Sequence, residues 1–187
     1  MKNIAIFASG TGSNATKIVE HFADHPTIHV RLIVSNRKGA KVLEMARANN
    51  IPTLISRKKA FYETETLLGD LKSYDISFIA LAGFLLLIPA YLVTAFPQKI
   101  VNIHPALLPK YGGKGMYGEN VHKAVKRAKE RESGITLHYV NEAYDEGAVI
   151  FQAACPVFEE DDVTAIAKRV LALEHYYFPR VLEALLA

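Results

Sequence analysis

Ile4-Ala5-Ile6-Phe7-Ala8-Ser9-Gly10-Thr11-Gly12-Ser13-Asn14 is the stretch that decides the fold class. A short apolar run bounded by turn residues reads as a strand buried on both faces. The glycine turn leads into residues 15–22, where Ile18, Val19 and Phe22 recur at helical spacing before Pro26. The alternation continues, with strands expected over 30–34, 52–55 and 76–81 and helices over 40–48 and 61–71. Repeated β and α units of this length predict an α/β fold, a parallel sheet wrapped by helices with right-handed crossovers. Beyond a buried strand at Ile100-Val101 the pattern changes. Gly112-Gly113-Lys114-Gly115 reads as a flexible loop, and residues 120–129 as a helix. Residues 135–140 and 148–153 flank the turn Asp145-Glu146-Gly147 and predict an antiparallel pair. A long amphipathic helix over 161–186 closes the chain, with Asp161-Asp162 at the positive end of its dipole. No repeat or linker interrupts the pattern, so one domain is expected over residues 1–187.

Bulk composition narrows the partners. Half of the 187 residues are hydrophobic (50%), ample for a buried core. The 22 basic and 19 acidic residues leave a net charge of only +3, which argues against nucleic acid. The local basic clusters, Arg57-Lys58-Lys59 and residues 123–129, read as solvated faces or as a field that steers an anion. A single cysteine, Cys155, excludes an internal disulfide and a cysteine-cluster metal site. His21 and His25 have i, i+4 spacing, but no third ligand accompanies them and Pro26 ends the segment, so no metal is expected. The N-terminus reads as the start of a strand, and no apolar run approaches the ~20 residues of a membrane helix. A cytoplasmic protein that meets no membrane is the expectation.

Three motifs carry chemistry. In Gly10-Thr11-Gly12-Ser13-Asn14-Ala15, glycines let backbone N–H groups approach an anion at a helix start, and Ser13 and Asn14 add side-chain contacts. The same residues also suit a plain tight turn or a dinucleotide fingerprint. The latter wants an acid about 20 residues on, where Ser35-Asn36-Arg37 has none. In Asn102-Ile103-His104-Pro105-Ala106-Leu107-Leu108-Pro109, Asn102 and His104 point to one face at a strand's end, where open α/β sheets bind ligands. Two such donors suit a carbonyl oxygen that becomes negative, or they satisfy backbone groups of a proline-rich loop. Asp145, in its turn, is either an ordinary turn residue or a carboxylate that would raise the His104 pKa. Thr136 and His138 share a strand face and would line the same cleft, or be satisfied core residues. The apolar run from Ala82 to Pro89 is core by default and a shelf for a flat heterocycle by function.

Taken together, Ser9-Gly10-Thr11-Gly12-Ser13-Asn14, Leu81-Ala82-Gly83-Phe84, residues 102–111 and residues 145–150, in that order, resemble the folate-dependent formyltransferases, and among them the phosphoribosylglycinamide formyltransferases. The resemblance spans nearly the whole chain, up to Leu173-Glu174-His175. It implies a Rossmann-like formyltransferase fold and formyl transfer from 10-formyltetrahydrofolate to glycinamide ribonucleotide in purine biosynthesis. It implies Asn102, His104 and Asp145 as catalytic residues. Gly10, Thr11, Gly12, Ser13 and Asn14 would then hold the ribonucleotide phosphate, and Glu174 the same substrate. Folate would meet Leu85, Leu86, Leu87 and Ile88, the turn Asn141, Glu142, Ala143, Tyr144 and Asp145, together with Asn102 and, at its tail, Lys58. Residues 1–100 become a phosphate-binding half, and 101–187 a catalytic and folate-binding half, of a monomer or homodimer. Two departures stand out: Leu86 replaces an arginine common in the family, and the segment from Tyr111 to Gly118 is longer than usual, which suggests a lid over the substrate.

The implied mechanism is attack of the amine on the formyl carbon, with Asn102 and protonated His104 stabilising the oxyanion and Asp145 keeping His104 charged. The rivals are a formyltetrahydrofolate hydrolase, an NADP-dependent reductase resting on Gly10 to Ala15 and Arg37, and a nucleotide sensor without turnover.

Overall fold

The computed structural model describes residues 1–187. Five strands come first, β1 (Lys2–Phe7), β2 (Ile28–Ser35), β3 (Thr53–Ile55), β4 (Phe78–Leu81) and β5 (Ile100–His104). Between them run α1 (Ser13–Phe22), α2 (Val42–Ala48), α3 (Lys58–Glu63), α4 (Thr66–Ser73) and α5 (Ala90–Ala95). The remainder is α6 (Glu119–Arg127), β6 (Glu132–Tyr139), β7 (Val149–Pro156) and α7 (Val163–Leu186). All seven strands form one sheet in the order β3-β2-β1-β4-β5-β6-β7. The pairings from β3 through β5 are parallel, and β6 pairs antiparallel with both β5 and β7.

The apolar strands are explained by burial on both sides. Ile4 and Ile6 of β1 enter a cluster with α1, α2 and α7, whereas Ala5 and Phe7 enter a second one with α3, α4 and α5. β4 divides likewise, Phe78 and Ala80 against Ile79 and Leu81. On β5, Val101 and Ile103 take the α1/α7 face, which leaves Asn102 and His104 on the other.

Three expectations are corrected. The helix predicted over 61–71 is two helices, because Thr64 is extended (φ −136°, ψ 156°) and its hydroxyl donates to the Ala60 carbonyl at 2.9 Å. Such local side-chain bonds give the backbone an alternative to the helical ladder. Helix α5 lies outside the expected elements, since Pro89 at its N-cap closes an apolar run that hides the change of structure. Asp161 does not open α7. Asp162 caps it by accepting from the Ala165 N–H at 2.7 Å, while Asp161 pairs with Arg169 at 2.7 Å.

Candidate functional site

The carboxyl ends of β1, β4 and β5 open onto a cavity of about 700 Å³. It lies beside β1 and β4, where the strand order reverses and open α/β sheets bind ligands. Its first wall is the β1–α1 loop. Buried Ser9 fastens this loop, its hydroxyl donating to Asn36 Oδ1 at 2.7 Å and accepting from the Leu85 N–H at 3.0 Å. Gly12 has φ +80°, and a Cβ there would lie 2.6 Å from Val42 Cβ, so a glycine is required where the loop passes α2. The next residue starts α1, whose first N–H groups lack intrahelical partners and favour an anion. Asn14 Nδ2 donates to Glu174 Oε2 of α7 at 2.6 Å, and Asn14 Oδ1 is buried with no partner.

The opposite wall is built by register. In the β5–β6 pairing Asn102 faces His138 and His104 faces Thr136. The amide Nδ2 of Asn102 lies 3.1 Å from His138 Nε2 and 3.4 Å from Asp145 Oδ1. Since His138 Nδ1 donates to the Tyr139 carbonyl at 2.8 Å, Nε2 is left to accept from Asn102 Nδ2. His104 Nε2 donates to the Tyr111 carbonyl at 2.8 Å, which turns Nδ1 toward Asp145 Oδ2 at 3.5 Å. The Gly113 N–H also donates to that carboxylate oxygen, at 3.0 Å. The floor between the two walls is the apolar run Phe84 to Ile88.

A profile described as "Formyl transferase" matches residues 2–182. The chain is 45% identical over 190 residues to the chloroplastic phosphoribosylglycinamide formyltransferase of Arabidopsis thaliana, covering 98% of this chain but 65% of that one. It is 37% identical to the phosphoribosylglycinamide formyltransferase of Bacillus subtilis, covering 100% of this chain and 95% of the relative. The crystal structure of glycinamide ribonucleotide transformylase 1 from Geobacillus kaustophilus superposes with a TM-score of 0.89 at 38% identity, over 100% of both chains. The chain belongs to the formyl transferase family.

In this family member, burial and charge oppose each other at the second wall. Burial lowers the His104 pKa, and although Asp145 and the Tyr111 carbonyl pull it back up, it stays below the usual histidine range. The expected upward shift is therefore reversed. For Asp145, burial raises the pKa, but the contacts with His138, His104 and the Gly113 N–H together outweigh it and hold the carboxyl below its ordinary range. Glu174 differs: burial raises its pKa, and Asn14 offsets only part of the rise.

Most of the expected site residues meet at this one cavity. Gly10, Thr11, Gly12, Ser13, Asn14, Glu174, the run from Leu85 to Ile88, Asn102, His104, Ala143, Tyr144 and Asp145 all line it. Lys58, Asn141 and Glu142 are not on its wall. Lys58 opens α3, and Asn141 Oδ1 accepts from the Ala143 N–H at 3.0 Å, shaping the turn instead. Thr136 does not line the cleft either, because its hydroxyl is spent inside, donating to the Ala106 carbonyl at 2.7 Å and accepting from the Leu108 N–H at 3.0 Å. Sequence reasoning underrated His138, whose Nε2 lies 3.1 Å from Asn102 Nδ2 and 3.5 Å from Asp145 Oδ1, and missed His122, a buried cavity residue whose Nδ1 has no partner. The signal for His138 was its even spacing from Thr136 on a strand paired with β5. His21 and His25 both lie against Glu183, at 2.8 and 3.5 Å. No helix is long and apolar enough to cross a membrane.

Proposed function

We propose that this chain transfers the formyl group of 10-formyltetrahydrofolate to the amine of glycinamide ribonucleotide, a step of purine biosynthesis. The observation that carries the reading is the meeting of Asn102, His104 and Asp145 in one cavity with the anion-binding start of α1. The relatives' names point the same way, although the chain spans only 65% of the Arabidopsis protein.

The Gly12-Ser13-Asn14 backbone takes the substrate phosphate, and Asn14 Oδ1 and Glu174 accept from the ribose hydroxyls. The apolar floor from Leu85 to Ile88 and the Ala143-Tyr144 turn flank the folate ring, which brings the formyl carbon to Asn102 and His104. Attack by the amine forms the new C–N bond and moves the carbonyl electron pair onto oxygen. Asn102 exchanges its loose 3.4 Å contact with Asp145 for this oxyanion. Asp145 accepts the proton of the attacking nitrogen and shares it with His104 Nδ1, 3.5 Å away. Burial disfavours imidazolium, so the positive charge that His104 gains in sharing this proton favours the oxyanion over the ground state. The proton then passes to the departing folate nitrogen as its bond to the formyl carbon breaks. The cavity draws on residues 1–100 and 101–187 alike, working as one domain. A cytoplasmic monomer or homodimer completes the reading, checked by cell fractionation and gel filtration.

The test is to mix the protein with 10-formyltetrahydrofolate and glycinamide ribonucleotide and follow deformylated folate. Product that forms only with the ribonucleotide present supports the transfer. Equal product in its absence makes the chain a hydrolase and ends the proposal.

A further inference from the structure

The cavity has an unusual charge balance for the substrate assigned to it. Its wall carries three carboxyl groups, Asp145, Glu174, whose pKa burial raises, and Glu119, which pairs with Lys123 at 2.8 Å, against one lysine or arginine, Lys114. A sugar phosphate brings about two negative charges at neutral pH. The α1 N-terminus supplies only about half a positive charge in compensation. Lys17, one turn into α1, is engaged with Glu20 at 2.6 Å and does not line the cavity.

The position of Lys114 suits the missing charge. Its loop starts at Gly113, whose N–H holds the Asp145 carboxylate, and ends at Gly118, the N-cap of α6. Helix α6 packs on α7, the helix that carries Glu174 beside the β1–α1 loop. The loop thus runs from a residue bonded to Asp145 to a helix packed on α7, and all of residues 113–118 line the cavity. Lys114 is exposed at its crest, between Gly113 (φ +92°) and Gly115 (φ +89°). Two glycines in the left-handed region let the crest turn without side-chain strain. The ammonium makes no ion pair, in contrast to Lys110 nearby, which holds Glu130 at 2.9 Å.

We infer that Lys114 is the counter-charge for the substrate phosphate and makes the cavity selective for a phosphorylated over a non-phosphorylated amine. The inference rests on the proposed reaction for the identity of the substrate, but its test does not require turnover. Ribose 5-phosphate and ribose are titrated calorimetrically into wild type, Lys114→Met and Lys114→Arg, and KM is measured for both substrates. Lys114→Met is expected to weaken ribose 5-phosphate binding about tenfold, the order of one charge-assisted hydrogen bond. Lys114→Arg restores most of that loss. Ribose binding and the KM for formyltetrahydrofolate stay as in wild type, whereas the ribonucleotide KM rises with the Met variant. Circular dichroism of both variants matches wild type, since the residue is exposed and unbonded. Ribose 5-phosphate affinity unchanged in Lys114→Met, no binding to wild type, or a rise confined to the folate KM each overturns the inference. Wild type that binds ribose 5-phosphate through Lys114 yet transfers no formyl group overturns the proposed reaction and leaves the phosphate contact standing.

Discussion

The two walls of the cavity are made in opposite ways. The β1–α1 wall is contiguous, five residues from Gly10 to Asn14, and it offers mainly backbone N–H groups. The β5–β6 wall gathers Asn102, His104, His138 and Asp145 from separate segments and works through side chains. A wall of backbone tolerates side-chain change but not an added Cβ. A wall of side chains fails at the loss of a single functional group while its fold persists.

The largest effect is expected at the side-chain wall. Asn102→Ala or His104→Ala should lower kcat by at least about 10²–10³, the usual loss for one oxyanion donor, with ribose 5-phosphate affinity unchanged in calorimetry. Near-normal turnover would remove that residue from the proposed role. The contiguous wall should break next. Gly12→Val meets Val42 at a left-handed φ and is expected to cost about 1–3 kcal/mol of stability, read by denaturant melts, and to abolish sugar-phosphate binding with it.

A smaller effect sharpens the contrast. His138→Ala removes the acceptor that aims Asn102. It should lower kcat about tenfold, ~1.4 kcal/mol at the transition state, and leave the ribonucleotide KM alone. A change in KM without a change in kcat would make His138 a binding residue. The smallest change concerns pH. Glu174 has a raised pKa in the fold, so its contribution to stability is present below the unfolded carboxyl pKa and is lost as pH rises through the folded value. Glu174→Gln should therefore melt a few degrees higher than wild type at pH 8 and no higher at pH 4. His104 and His122 have lowered pKa values, so the stability tied to their neutral rings is present above about 6.5 and is lost as pH falls below it. A His122→Gln melt that drops less than wild type between pH 7 and pH 5 would bear this out.

The parallel half of the fold was legible because each of its elements is local. Residues 4–8 read as a doubly buried strand, and β1 alternates between two apolar clusters as that requires. Where a local pattern was ambiguous the reading slipped. Thr64 broke a helix that apolar spacing alone would continue, and the run before Pro89 concealed α5. At the site, Asn102 and His104 were legible from their spacing on one strand. His138 was legible only as a polar residue of unknown use, since its value depends on facing Asn102 across a pairing that no local pattern specifies. Lys58 shows the converse, a suitable charge in a suitable segment that the fold leaves off the cavity wall.

By itself, then, the sequence determined the alternation of elements, the glycine turn and the kinds of groups available for chemistry, because these depend on backbone preferences and on periodicity over a few residues. Tertiary structure alone decided the β5–β6 register, the placing of residues 113–118 on the cavity wall and the downward pKa of His104. Each of these depends on which distant groups exclude water or place charge around a side chain, and burial and long-range pairing are properties of the folded chain as a whole.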